Sequence, residues 1–101
     1  MRIELHATGI RLTNHTRHFL ESKLQYRLHP FKDRIGSVEV NLTTSQGGSR
    51  PGVTACEIVV NIESLGEIRR RAEHEWLHIA IDWATSAVVA EVERAAGGRA
   101  A

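Results

Sequence analysis

The chain has 101 residues, 42% apolar and 25% charged, and a net charge of +1. That length holds one domain with one core, and the balance is that of an ordinary globular protein, compatible with an enzyme or a binding module. No apolar run approaches the ~18 residues of a membrane span, the start MRIELHATG lacks the continuous apolar stretch of a signal peptide, and the single cysteine, Cys56, excludes an internal disulfide and points to the cytoplasm.

Residues 2–7, RIELHA, alternate, which predicts a strand with Ile3, Leu5 and Ala7 on one face. Gly9 follows, and Thr13 is placed to cap a helix over 14–29 in which Leu20, Leu24 and Leu28 recur every four residues. Pro30 lacks an N–H and should end that helix. Val38, Val40 and Leu42 alternate with Glu39, Asn41 and Thr43 in a strand over 37–44. SQGGSRPG, 45–52, has the composition of a loop. A third strand carries Cys56, Ile58, Val60 and Ile62 on one face, ESLGE at 63–67 reads as a hairpin turn, and a short basic strand follows over 67–73. Residues 75–96 predict a long helix with Leu77, Ile81, Ala84, Val88, Val92 and Ala95 as its buried stripe. Gly97 and Gly98 should stop it, leaving a domain of 1–96 and a disordered tail of 97–101.

The order is β-α-β-β-β-α. It predicts an α+β domain in which one four-stranded mixed sheet carries both helices on one face. The other face displays Arg2, Glu4, His6, Glu39, Asn41, Glu57, Asn61, Glu63, Arg69 and Arg71. Alternation turns Arg70 toward the core, where an edge position would let its stem snorkel outward. Trp83 lies about 120° from the centre of the second helix's stripe and is expected to pack against the first helix.

Residues 74–78, HEWLH, match H-E-x-x-H, in which His74 and His78 would hold zinc and Glu75 would activate water. The rest of the motif is missing. The extended form needs a glycine and a third histidine where this chain has Ile81 and Ala84. Glu91 would lie ~20 Å away along a continuous helix, and His74, His78 and Asp82 would span ~12 Å, too long for one tetrahedral centre. No metal and no cofactor is expected. Glu73 and Glu75 read instead as favouring the positive end of the second helix's dipole.

Charge is unevenly spread. Residues 1–34 carry seven Lys/Arg against three acids, and the remainder is net negative. A basic end on a near-neutral protein suggests an anionic partner.

Several motifs recur at matching spacing in one known family. They are GIRLT at 9–13, then Arg17, Phe19 and Lys23-Leu24 in the first helix. Phe31, Ile35, Val38, Val40 and Leu42 follow, then GEI at 66–68, AEHE at 72–75 and AID at 80–82. On these, residues 1 to about 95 resemble the ribosome hibernation-promoting factor family. That family includes the short ribosome-associated translation inhibitors and is also labelled sigma-factor modulation protein. On this reading HEWLH is the family's second-helix start with a histidine placed four residues on by chance.

The resemblance implies a topology similar to double-stranded-RNA-binding domains. It implies binding to the small ribosomal subunit and its 16S-type rRNA, where mRNA and tRNA would lie, so that idle ribosomes are silenced without any reaction being catalysed. Long family members add a C-terminal dimerisation domain, so this chain looks like the short type. Arg17 and Lys23 match the family's basic positions in the first helix. Arg27, Lys32 and Arg34 extend the basic end, and Arg69 and Arg71 alternate on the open sheet face. Arg50 lies in the 45–52 loop. The family carries further Lys/Arg at the end of the second helix and before the third strand. Here those places read VVAEVERAAGGRAA and GVTACE, which implies weaker and less salt-dependent RNA binding. Two other readings compete. One is a protein-interaction or homodimerisation module on the same fold with weak RNA binding, its homodimer face built on Ile79, Val89 and Ala90 of the second helix. The other is the zinc hydrolase.

Overall fold

Alternation in the first strand does build an element, but its inward residues stay half-buried because the strand lies at a sheet edge. In the computed structural model, which describes residues 1–44 and 52–97, β1 spans Arg2–Thr8. It pairs in parallel with β2, Ile35–Thr44, with Ile3 beside Val38 and Leu5 beside Val40. Parallel neighbours need a crossover, and α1, Asn14–Leu28, supplies it. The Thr13 side chain caps α1 by accepting the Thr16 N–H at 3.1 Å. Leu20, Leu24 and Leu28 are fully buried, each contributing roughly 1.5–3 kcal/mol. The helix stops one residue before the expected end. Pro30 then sits near the start of a 3₁₀ turn, His29–Phe31, where its missing N–H costs nothing.

β3, Thr54–Ile62, and β4, Gly66–His74, run antiparallel and complete a sheet of order β1-β2-β3-β4. Their connection is Glu63-Ser64-Leu65, closed by the Leu65 N–H donating to the Ile62 carbonyl at 3.1 Å. The mixed four-stranded sheet with two helices in the order β-α-β-β-β-α is the architecture the patterning predicts. Both helices bury their apolar faces on the side carrying Val38, Val40, Cys56, Ile58 and Val60.

α2 departs from expectation at both ends. It spans Leu77–Val92, not 75–96. β4 runs on to His74, which still pairs with Thr54. Glu73 therefore belongs to the sheet, Glu75 to the bend, and the first turn of α2 holds no acid. The dipole role expected of those glutamates does not arise. After Val92 the chain makes a wider π-helical turn, Glu93–Gly97. A wider turn shifts the helical register, so Ala96 packs against the core and Ala95 is exposed. This end is seated firmly. An Arg34 Nη1–H donates to the Ala96 carbonyl at 2.9 Å, and Gly97 lies so close to Phe31 that a Cβ would come within 2.7 Å of the ring.

The buried face of α2 is also wider than the expected stripe, because Ala80, Thr85 and Val89 are interior too. Val89, expected on an exposed dimer face, is 2% exposed and belongs to the core. The loop assigned to 45–52, with Arg50, and the tail assigned to 97–101 lie outside the described residues, apart from Gly52 and Gly97. Among the described residues no helix is long and apolar enough to cross a membrane.

Candidate nucleic-acid interface

Seven cations were singled out by the sequence, and the fold divides them between two faces. Arg17, Lys23 and Arg27 lie on α1, and Lys32 and Arg34 lie just beyond it, all on the helical side of the sheet. Arg69 and Arg71 lie on β4 beside Val59 and Glu57, on the open side. One flat partner cannot cover both sets.

On the open side the arginines are already engaged. Arg69 meets Glu57 and Glu67, each at 3.2 Å, and Arg71 meets Glu73 at 2.6 Å. Glu57 first, then Glu67, raise the Arg69 guanidinium further above its already high range. Arg2 lies 3.8 Å from Glu4, and His6 lies between Glu4 and Glu39 at 3.7 and 3.6 Å. Among the described residues five glutamates (Glu4, Glu39, Glu57, Glu67 and Glu73) thus face three arginines, and their balance is acidic.

The helical side is different. The exposed positions of α1 include His15, Arg17, His18, Ser22, Gln25 and Tyr26, and its single acid, Glu21, is half-buried. Arg11, in the turn before the helix, and Arg17 make no ion pair among the described residues. Arg27 is near enough to Asp82 to lower its carboxyl slightly, without forming a salt bridge. Lys23 is held. It meets Asp82 of α2 at 2.9 Å, lies 5.6 Å from the Phe19 ring centroid and is only 22% exposed. Lys32 pairs with its neighbour Asp33 at 3.4 Å, and Arg34 spends one N–H on Ala96.

Arg11 belongs to the basic end, but no motif marks it as a site. Tyr26, 81% exposed, stands on the exposed face of α1, again outside any motif. Its i+2 offset from Leu24 takes it off the apolar stripe and was the available signal.

The HEWLH segment does not take the geometry its motif requires. His74 ends β4 while His78 belongs to α2, so the helical ladder a zinc site needs is broken. His74 Nδ1 instead accepts the Trp76 backbone N–H at 3.0 Å and shapes the bend. Among the described residues no group of three or more His, Cys, Asp or Glu could hold a metal ion. Trp83 does not pack on α1. It meets His74 edge-on at 5.0 Å, because it leaves α2 on the β4 flank while Asp82 faces α1.

A family model described as "Sigma 54 modulation protein / S30EA ribosomal protein" matches residues 3–99. Two solved structures are similar over nearly the whole chain. The N-terminal domain of Protein Y from Thermus thermophilus has a TM-score of 0.77 at 28% identity, covering 93% of this chain and 98% of that one. A ribosomal subunit interface protein from Coxiella burnetii has a TM-score of 0.80 at 17% identity, covering 94% and 97%, a likeness of fold. Comparison with curated protein sequences gives no match.

Proposed function

Because the chain belongs to the sigma 54 modulation protein / S30EA ribosomal protein family, we propose that it is a non-catalytic, ribosome-associated factor of the cytoplasm. In this reading it binds rRNA of the small subunit and silences translation in idle ribosomes. The observation that carries the surface assignment is the polarity of the molecule. The exposed face of α1 has no carboxylate and is flanked by Arg11, Arg17 and Arg27, while the opposite sheet face is acidic. A polyanion would be drawn to the first face and turned away from the second.

Arg17 and Arg27 lead this interface, with Arg11 beside them. Lys23 joins only by leaving Asp82, and Lys32 and Arg34 extend the surface past the helix. Arg34 retains free N–H donors after capping Ala96. Arg69 and Arg71 would have to exchange a carboxylate for a phosphate, so they rank last. A homodimer through α2 would rest on half-buried Ile79 and exposed Ala90 alone, about 16 Å apart along the helix.

The test is co-sedimentation of the whole chain with purified small and large subunits at low and at moderate salt. Retention on the small subunit that falls as salt rises is expected. Equal retention on both subunits, or none at low salt, would overturn the reading.

A further inference from the structure

The β4–α2 bend gathers four rings into one continuous exposed corner. Trp83 meets His74 edge-on at 5.0 Å, His74 lies 6.2 Å from Trp76, and Trp76 stacks on His78 at 6.0 Å with planes 20° apart. Trp76 is 59% exposed and Trp83 54%. Neither belongs to the core cluster, although indoles usually bury most of their surface. The hydrogen bond from the Trp76 backbone N–H to His74 Nδ1 holds the bend that displays them. Exposed, locally braced indoles are the kind of side chain that dominates binding energy at interfaces.

Charge identifies the partner. Residues 72–83 contain three carboxylates, Glu73, Glu75 and Asp82, and no lysine or arginine. Two cations among the described residues reach the segment from outside and are held by it: Arg71 on Glu73 at 2.6 Å and Lys23 on Asp82 at 2.9 Å. Glu75 stands between His74 and Trp76 with no ion pair among the described residues. Indole faces are themselves electron-rich and attract guanidinium and ammonium groups. Among the described residues phosphate finds no free cation here, whereas an arginine finds two ring faces and a carboxylate.

We infer that this corner, Trp76, Trp83 and Glu75, docks a cationic segment of another protein, with an arginine on the indoles and Glu75 as its counter-charge. Trp83 lies on the β4 flank of α2, while Trp76 stacks on His78, which shares a cleft with His15 and Phe19 of α1, so the corner borders the proposed RNA surface and differs from it in charge.

Both tryptophans of the chain are in the corner, so intrinsic fluorescence reads this site alone. The whole chain would be titrated with a nine-residue alternating arginine–glycine peptide, with its aspartate–glycine counterpart and with single-stranded oligouridylate. A saturable change in emission with the arginine peptide alone is expected. Trp76→Ala should weaken it at least threefold, and Glu75→Gln, which keeps both rings and tests the site even if a tryptophan variant misfolds, at least twofold. Glu93→Gln, an exposed charge loss on the π-helical turn, should leave affinity unchanged. Failure of the arginine peptide to saturate, or equal weakening by Glu93→Gln and Glu75→Gln, would overturn the inference. Saturation by oligouridylate without the peptide would also overturn it, making the corner a base-stacking platform. Small subunits take no part in the titration, so failure of the ribosome reading would not be mistaken for failure here.

Discussion

Lys23 and Asp82 join the two helices through a 2.9 Å ion pair, with the lysine ammonium 5.6 Å from the Phe19 ring centroid. One of the two family-matching cations of α1 is therefore turned along the helix–helix seam instead of outward. Lys23, by its hydrogen bond and then its charge, holds the Asp82 carboxyl below the usual carboxylate range, and Arg27 and His78 add to this.

Asp82→Asn should release Lys23 and remove a negative charge beside Arg27. Tighter binding to small subunits and a steeper salt dependence are expected in co-sedimentation. Asp82 is 56% exposed, so the lost pair should cost only about 0.5 kcal/mol in denaturant unfolding. The depressed carboxyl pKa fixes the pH sign. The stabilisation is present at neutral pH and is lost as pH falls below about 4 through the folded-state value. The stability gap between wild type and Asp82→Asn should close in that range.

Arg17→Ala combined with Arg27→Ala should weaken small-subunit binding and lower the slope of log affinity against log salt by about two units, one per contact. Arg69→Ala with Arg71→Ala removes the same formal charge from the open face and should leave the slope nearly unchanged. Equal effects from the two double variants would place the anion elsewhere.

Cys56 is fully buried in β3, and burial raises its thiol to about 12. The thiolate is the reactive form. Alkylation of the folded protein should therefore stay negligible up to pH 9 and appear with the unfolding transition. Rapid modification at pH 8 without denaturant would contradict this burial.

The strands, the two helices and their shared face were legible because alternation and four-residue periodicity report directly on burial. The junction at 72–77 was not. Its residues suit either the end of a strand or the start of a helix, and only the pairing of Ala55 with Glu73 and Thr54 with His74 decides. The far end of α2 failed for a similar reason: a wide turn changes the register without changing the residue types, and Ala95 yields its place to Ala96. In the candidate site the cations themselves could be read, and alternation gave Arg69 and Arg71 their face. Their engagement could not be read. It depends on the β3–β4 register that sets Glu57 near Arg69, and on the helix placement that brings Asp82 to Lys23.

Arg70 points to the core face of β4, passes over the sheet edge and meets Glu91 of α2 at 2.8 Å. A nine-residue edge strand offers a row of backbone donors and acceptors on which another chain could build. An added strand would have to seal the Arg70–Glu91 pair away from water, which disfavours the addition. Arg70→Val would supply an apolar edge and should raise light scattering on concentration while preserving the native circular dichroism. With that outcome, the arginine run that reads as a nucleic-acid signal would also serve solubility, its middle member guarding the sheet against aggregation through its β4 edge.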